Sequence, residues 1–425
     1  MSSTRRRFLR ASLGASTLLS LGYRVPAFLT RAAQAESVQP NGSDKILVVV
    51  QLAGGNDGLN TVVPYADDVY CRSRPTLRLL PREIHKIDSR LGFHPRMQAF
   101  LRLLEQGHLS VVQGVGFPSR YDRNRNHESS MHIWQTGMLD AAHARTGWLG
   151  RAIDHVYQPE TAQVPAVYSG QIAQPFAVRA ERAIVPTIRS FADATLQALP
   201  PQEDTVQRRN QLAAAEAVSR DEGNSLLGFV RRGTLAAHAR SRRIEAVAEA
   251  RQTARAAGYP AFEFAETLRT IAELIRADVG VRIYYTELGG PPPGGFDNHA
   301  GQLDNHAALV QQLSESVAAF IHDIERDALL DRVLLMTFSE FGRTLRENGR
   351  RGTDHGTAAP MFLAGGGLKT RLVGTHPSLT DLEVNEMKVH TDFRQVYATL
   401  LDHWLRIDSR AVLGESLDPL PMLRT

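Results

Sequence analysis

Apolar residues fall into short runs separated by polar and turn-forming segments. Six runs read as strands: Lys45–Leu52 (KILVVVQL), Leu109–Gln113, Val164–Tyr168, Val279–Leu288, Val333–Phe338 and Pro360–Leu363. The first and fifth are continuous apolar runs, the pattern of strands buried on both faces of a parallel sheet. Helical periodicity fits Pro95–Gln106, Leu303–Arg326 and Asp392–Leu405. The first of these lies between the first two strands and predicts a strand–helix–strand unit. From about 200 to 277 the chain is Ala-, Arg-, Glu- and Leu-rich with almost no β-branched residues, so two or three helices are expected there. The pattern predicts one α/β domain, a three-layer sandwich with a largely parallel central sheet and a helical insertion at about 200–277.

The first 35 residues change the electrostatic picture. Arg5-Arg6-Arg7-Phe8-Leu9 precedes a short apolar stretch, Ala11–Leu21, and a small-x-small site at Ala33-Gln34-Ala35. This is the pattern of a twin-arginine signal peptide over 1–35, with the domain over 36–425. It predicts the twin-arginine translocase as an export partner and the periplasm or cell exterior as destination. The formal charge of +4 belongs to this leader: it holds six of the 49 basic residues and no acid, leaving 43 against 45 acidic residues, or −2. That balance gives no argument for nucleic-acid binding. No later apolar run is long enough for a membrane span. The one cysteine, Cys71, excludes an internal disulfide, which suits folding in a reducing compartment before export.

Four clusters carry candidate chemistry. Gly54-Gly55-Asn56-Asp57-Gly58 follows the first strand; its Asp57 is a candidate cation ligand, or the segment is simply a turn. Arg125, His127, Ser129 and Ser130 crowd the segment 124–132, where nucleophile, ligand and anion clamp are all chemically open. Asp297 and His299 follow the loop Gly289–Gly295, with Gln302 and His306 beyond; a hard oxygen and an imidazole suit zinc, manganese or iron. Glu340 emerges at the end of the fifth strand, with Arg343 three residues on and an Asp354-His355 pair after a polar loop. Glu340 and His355 are natural metal ligands. Arg343 could clamp an anionic ester or pair with Glu340 across one helical turn.

Taken together, QLAGGNDGLNTVVPY, FDNH, SEFGRT…GTDHG and TDFRQVYATLLDHWL resemble the exported domain-of-unknown-function family 1501, from about Lys45 to Leu405. That family is in turn similar to the alkaline phosphatase superfamily, with its sulfatases and phosphopentomutase. The resemblance implies an alkaline-phosphatase-like fold holding one or two divalent metals (zinc, manganese, iron or calcium) on Asp57, Asp297, His299, Glu340 and His355. It also implies attack by His127 or Ser129, with Arg125 or Arg343 stabilising charge. Two departures stand out: Phe341 takes the place of a histidine ligand, and His127 falls where a Ser or Thr nucleophile is expected. Two functions follow. One is an exported metal-dependent hydrolase or transferase acting on phosphate or sulfate esters, small or on a cell-surface polymer. The other is a catalytically degenerate binding or assembly protein of the same fold.

Overall fold

The computed structural model describes residues 45–156, 166–170, 173–194, 258–290, 295–383 and 386–424, with short pieces at 23–24, 197–198, 241–242 and 244–247. The nine-stranded main sheet is built around β1, Ile46–Leu52, every residue of which is buried. Its side chains alternate: Ile46, Val48, Val50 and Leu52 enter one core, Leu47 and Val49 the other. Burying each such side chain contributes about 1.5–3 kcal/mol, so a strand apolar on both faces is stable only at the centre of a layered sheet.

The other strands are β2 (Leu109–Gly116), β3 (Ala166–Ser169), β4 (Thr187–Ile188), β5 (Ile283–Leu288), β6 (Val333–Phe338), β7 (Ala359–Gly365), β8 (Leu372–Val373) and β9 (Thr391–Asp392). Their order is β8-β2-β7-β6-β1-β5-β3-β4, with β9 also on β2. All neighbours are parallel except β7, which runs against both β6 and β2. All six expected strands are present. The expected strand–helix–strand unit is not a pair of adjacent strands, because β6 and β7 lie between β1 and β2.

Helices cover both faces. After the short α1 (Gly58–Thr61) and α2 (Asp68–Ser73), α3 (Gln98–Gln106) packs on one face. The opposite face receives α4 (His127–Thr136) and α5 (Trp148–Val156). α6 (Glu263–Arg276) and α7 (Gln302–Arg326) join α3 on the first face, while α8 (Phe393–Thr399) joins α4 and α5. The last expected helix changes character within its span, since Leu400–Leu405 continues α8 with π-helical geometry. The expected α/β three-layer architecture stands.

The expected leader lies outside the described residues except for Tyr23–Arg24, whose backbone pairs with Gln197–Ala198. Most of the expected helical insertion also lies outside them; within it, α6 is a helix packed along α7. Among the described residues, no helix is long and apolar enough to cross a membrane.

Candidate metal centre

Three parallel strands end on the same side. The loops after β1, β5 and β6 meet there, as ligand sites of open α/β sheets do. β7 is antiparallel, so its start lies at this end as well, and the returning chain brings His355 back beside Arg343 through an isolated bridge. β2 feeds the fourth contributor, the segment leading into α4. Asn126 caps that helix by accepting from the Glu128 backbone N–H, which sets His127 at its first turn. Close approach of these loops requires glycine: a Cβ on Gly54 would lie 2.5 Å from the Asp297 backbone nitrogen, and one on Gly55 would lie 2.3 Å from the Phe341 ring.

His127, Asp297 and His355 converge, each offering a donor atom within 4.8 Å of the other two. His127 Nε2 is 3.4 Å from Asp297 Oδ2, and His355 Nε2 is 3.3 Å from Asp297 Oδ1. His299 touches two of the three, with its Nε2 3.1 Å from Asp297 Oδ1 and 3.0 Å from His355 Nε2. The remaining ring nitrogens each meet an acceptor. His127 Nδ1 donates to Glu340 Oε1 at 2.9 Å, His355 Nδ1 to the Arg125 carbonyl at 2.6 Å, and His299 Nδ1 to Asp354 Oδ1 at 3.2 Å. Each of these partners offers only an acceptor, so each Nδ1 donates there, and in the neutral ring each Nε2 is left with a lone pair toward Asp297.

With both rings neutral and protonated at Nδ1, the lone pairs of His299 and His355 would face each other 3.0 Å apart and repel, and the His127 Nε2 is buried without a hydrogen-bond partner among the described residues. Both features fit a cation. Four donors held at about 2.0–2.2 Å from one ion lie roughly 3.3–3.5 Å apart, close to the contacts that Asp297 makes with His127 and His355. Metal-binding histidines typically donate their second nitrogen to a carboxylate or a backbone carbonyl, as all three do here. His355 has its pKa lowered, chiefly by burial and then by the Arg343 and His127 charges, against the opposing Arg125 carbonyl. For Asp297, burial works to raise the pKa, but the Arg343 hydrogen bond and charge outweigh it and hold the carboxyl below its usual range.

The other expected site residues lie elsewhere or act differently. Arg343 is 1% exposed and its donors are spent inside the protein. Its Nε bonds to Gly55 O at 2.8 Å and Nη1 to Thr353 O at 3.1 Å. Its Nη2 bonds to Gly54 O, to Phe296 O at 3.1 Å and to Asp297 Oδ1 at 2.8 Å. It ties three site loops together and is not open to a ligand, nor does it pair with Glu340. Asp57 joins a separate buried group, in which it binds Arg74 and Gln302, each at 2.5 Å. Arg74 carries no signal in the sequence that links it to Asp57. Ser129 and Ser130 both turn their hydroxyls to Asp122. Arg125 pairs its side chain with Glu386, so its contribution to the centre is the carbonyl that holds His355. Glu340 is buried and accepts from the Gly54 N–H at 2.8 Å as well as from His127. Phe341 forms the apolar wall, its ring centroid 4.2 Å from that of His355 and 5.0 Å from that of His127.

Comparison with solved structures finds remote likenesses. The C-terminal periplasmic domain of EcEptC from Escherichia coli in complex with Zn matches over 76% of this chain and 74% of that one, at 11% identity and TM-score 0.33. A structure of Ps i-CgsB in complex with k-i-k-neocarrahexaose matches over 88% and 73%, at 8% identity and TM-score 0.30. A TAB5 alkaline phosphatase mutant with Mg bound matches over 77% and 93%, at 9% identity and TM-score 0.32. Likenesses this remote carry nothing about chemistry. No curated protein matches the chain. The sequence profile of the family described as "Protein of unknown function (DUF1501)" matches residues 44–419, nearly the whole chain. The chain belongs to that family.

Proposed function

We propose that this protein is an exported, metal-dependent hydrolase of phosphate or sulfate esters, built around one divalent metal held by His127, Asp297 and His355, with His299 beside them. One observation carries the reading: three imidazoles, each tied at Nδ1 by an acceptor, turn Nε2 toward a single carboxylate. The nitrogen-rich donor set suits zinc, manganese or iron. Calcium, which takes six to eight oxygens, fits it poorly.

A divalent cation bound here supplies Lewis-acid charge to the oxygens of an ester. The protein's own groups do the rest. Glu340, Asp354 and the Arg125 carbonyl hold the imidazoles in register, and Arg343 keeps Asp297 ionised. Phe341 screens one side from water. Ser129 and Ser130 both bond to Asp122, so the proposed nucleophile is water, and hydrolysis is favoured over transfer through a serine ester. Export through the twin-arginine pathway belongs to the same proposal and rests on the leader sequence.

The binding-protein reading has its own support. Asp57 is committed to Arg74, and Phe341 stands where a second metal's ligand is expected, so the centre suits one metal. The test is elemental analysis of the full chain purified without chelators, followed by assays with aryl phosphates and aryl sulfates. About one equivalent of zinc, manganese or iron, lost together with ester hydrolysis in His355→Ala, supports the enzyme. Metal without turnover on either ester class favours the binding protein. A folded chain that takes up no metal and stays inert overturns the enzyme and leaves the binding protein.

A further inference from the structure

The backbone of Arg125 is left-handed, with φ 44°, a conformation that residues bearing a Cβ rarely adopt. This residue orients two of the three proposed ligands. Its carbonyl accepts from His355 Nδ1 at 2.6 Å, and the turn it makes delivers Asn126 as the cap of α4, which sets His127 at the first turn. Asparagine and glycine enter the left-handed region more readily, and Asn124 and Asn126 stand on either side. A turn alone does not call for an arginine at the strained position, so its side chain needs an account.

The guanidinium is tied at two points. It forms an ion pair with Glu386, both side chains being only 12% exposed, and its Nη1 donates to the Arg123 carbonyl at 3.1 Å. Glu386 belongs to a short antiparallel pair, Leu382–Glu383 with Glu386–Met387. The same pair reaches the start of the segment, where Glu383 accepts from Ser119 Oγ at 2.7 Å. It is itself seated on the protein: Met387 packs in an apolar cluster with Leu59, Leu345 and Ala358, and its carbonyl accepts from Thr357 Oγ1, two residues beyond His355. The strand pair therefore grips segment 119–125 at both ends and also holds the chain that leaves His355. Removing one member of a mostly buried ion pair leaves the other without a counter-charge, so the pairing fixes where the Arg125 side chain lies.

Resting on the metal-centre reading, we propose that Arg125 and Glu386 are positioning residues for the metal. The ion pair holds Arg125 in its left-handed conformation, and that conformation aims its carbonyl at His355 and starts α4 where His127 enters the centre. Neither side chain touches the metal or a substrate. The strain at Arg125 is local and the ion pair that offsets it lies on a distant strand pair, so the ligand geometry depends on a contact made well outside the ligand set.

Two measurements on the full chain test this: zinc affinity by competition with a chromogenic chelator, and the NMR resonance of the His355 Nδ1 proton in the metal-free chain, assigned by its loss in His355→Ala. Glu386→Ala and Arg125→Ala should each lower zinc affinity about tenfold and shift or broaden the His355 resonance. The double variant should be no worse than either single one, because both remove the same support. Arg125→Gly should keep several-fold more affinity than Arg125→Ala, since glycine takes this conformation without a Cβ penalty. Unchanged affinity and resonance in Glu386→Ala overturn the proposal, as do glycine and alanine variants that are equally weak. If Glu386→Ala fails to fold, Glu386→Gln keeps the shape and removes the charge, and the same losses are expected of it, their absence being equally fatal. The two readings fail separately: a wild-type chain that takes up no zinc removes the metal centre, and the His355 resonance of the metal-free variants still decides whether Arg125 is held by Glu386.

Discussion

Replacing Arg343 by lysine separates two roles that the sequence leaves open. As an anion clamp, arginine replaced by another cation would cost turnover and leave the fold nearly unchanged. The structure demands the opposite order. The guanidinium makes five hydrogen bonds, one from Nε, one from Nη1 and three shared by Nη2, to four backbone carbonyls and one carboxylate, in a site where its side chain is 1% exposed. A lysine has three donors and no fork, so at least two buried acceptors lose their partner. Each orphaned buried acceptor costs about 1–3 kcal/mol, so Arg343→Lys should destabilise by roughly 2–6 kcal/mol. Asp297 also loses the bond that holds its carboxyl ionised, so metal affinity should drop in the same variant. Urea unfolding, with and without saturating zinc, measures both effects. A loss below about 1 kcal/mol without zinc would refute the view that Arg343 fastens the site loops together, since that is less than one orphaned group.

Two further outcomes are expected. Glu340→Gln keeps the shape but replaces the acceptor that fixes the His127 tautomer, so metal affinity should fall about 10–100-fold, measured by competition with a chromogenic chelator; an unchanged affinity would detach Glu340 from the centre. His306, fully buried, has its pKa lowered to about 4, chiefly by burial, and His94 beside it is lowered to about 3 for the same reason. Both stay neutral in the folded chain while the unfolded chain protonates near pH 6.5. Stability is therefore complete above about pH 6.5 and declines as pH falls toward 4, with a loss on the order of 3 kcal/mol from His306 alone. Denaturation midpoints at pH 7.5 and 5.0, compared with those of His306→Gln, test this; the same loss in the variant would refute it.

Much of this architecture is local and so legible in the sequence. KILVVVQL and VLLMTF are apolar on both faces, and a strand of that kind has no stable place except within a covered sheet. The positions of Asp297, His299, Glu340 and His355 after strand ends follow from the same pattern, because loops at the carboxyl ends of parallel strands share one side. The grouping of His127 with Asp297 and His355 is not local: it joins segments some 170 and 230 positions apart along the chain. Tertiary structure alone decided which polar residues face the opening. Asp57 and Arg343 have the types and positions of site residues, yet each is consumed by a buried partner, Arg74 in one case and the backbone of three loops in the other. A carboxylate or guanidinium in a loop reads the same whether it meets a ligand or a neighbour. Only the packing of distant segments supplies the partner, and desolvation then makes that pairing obligatory.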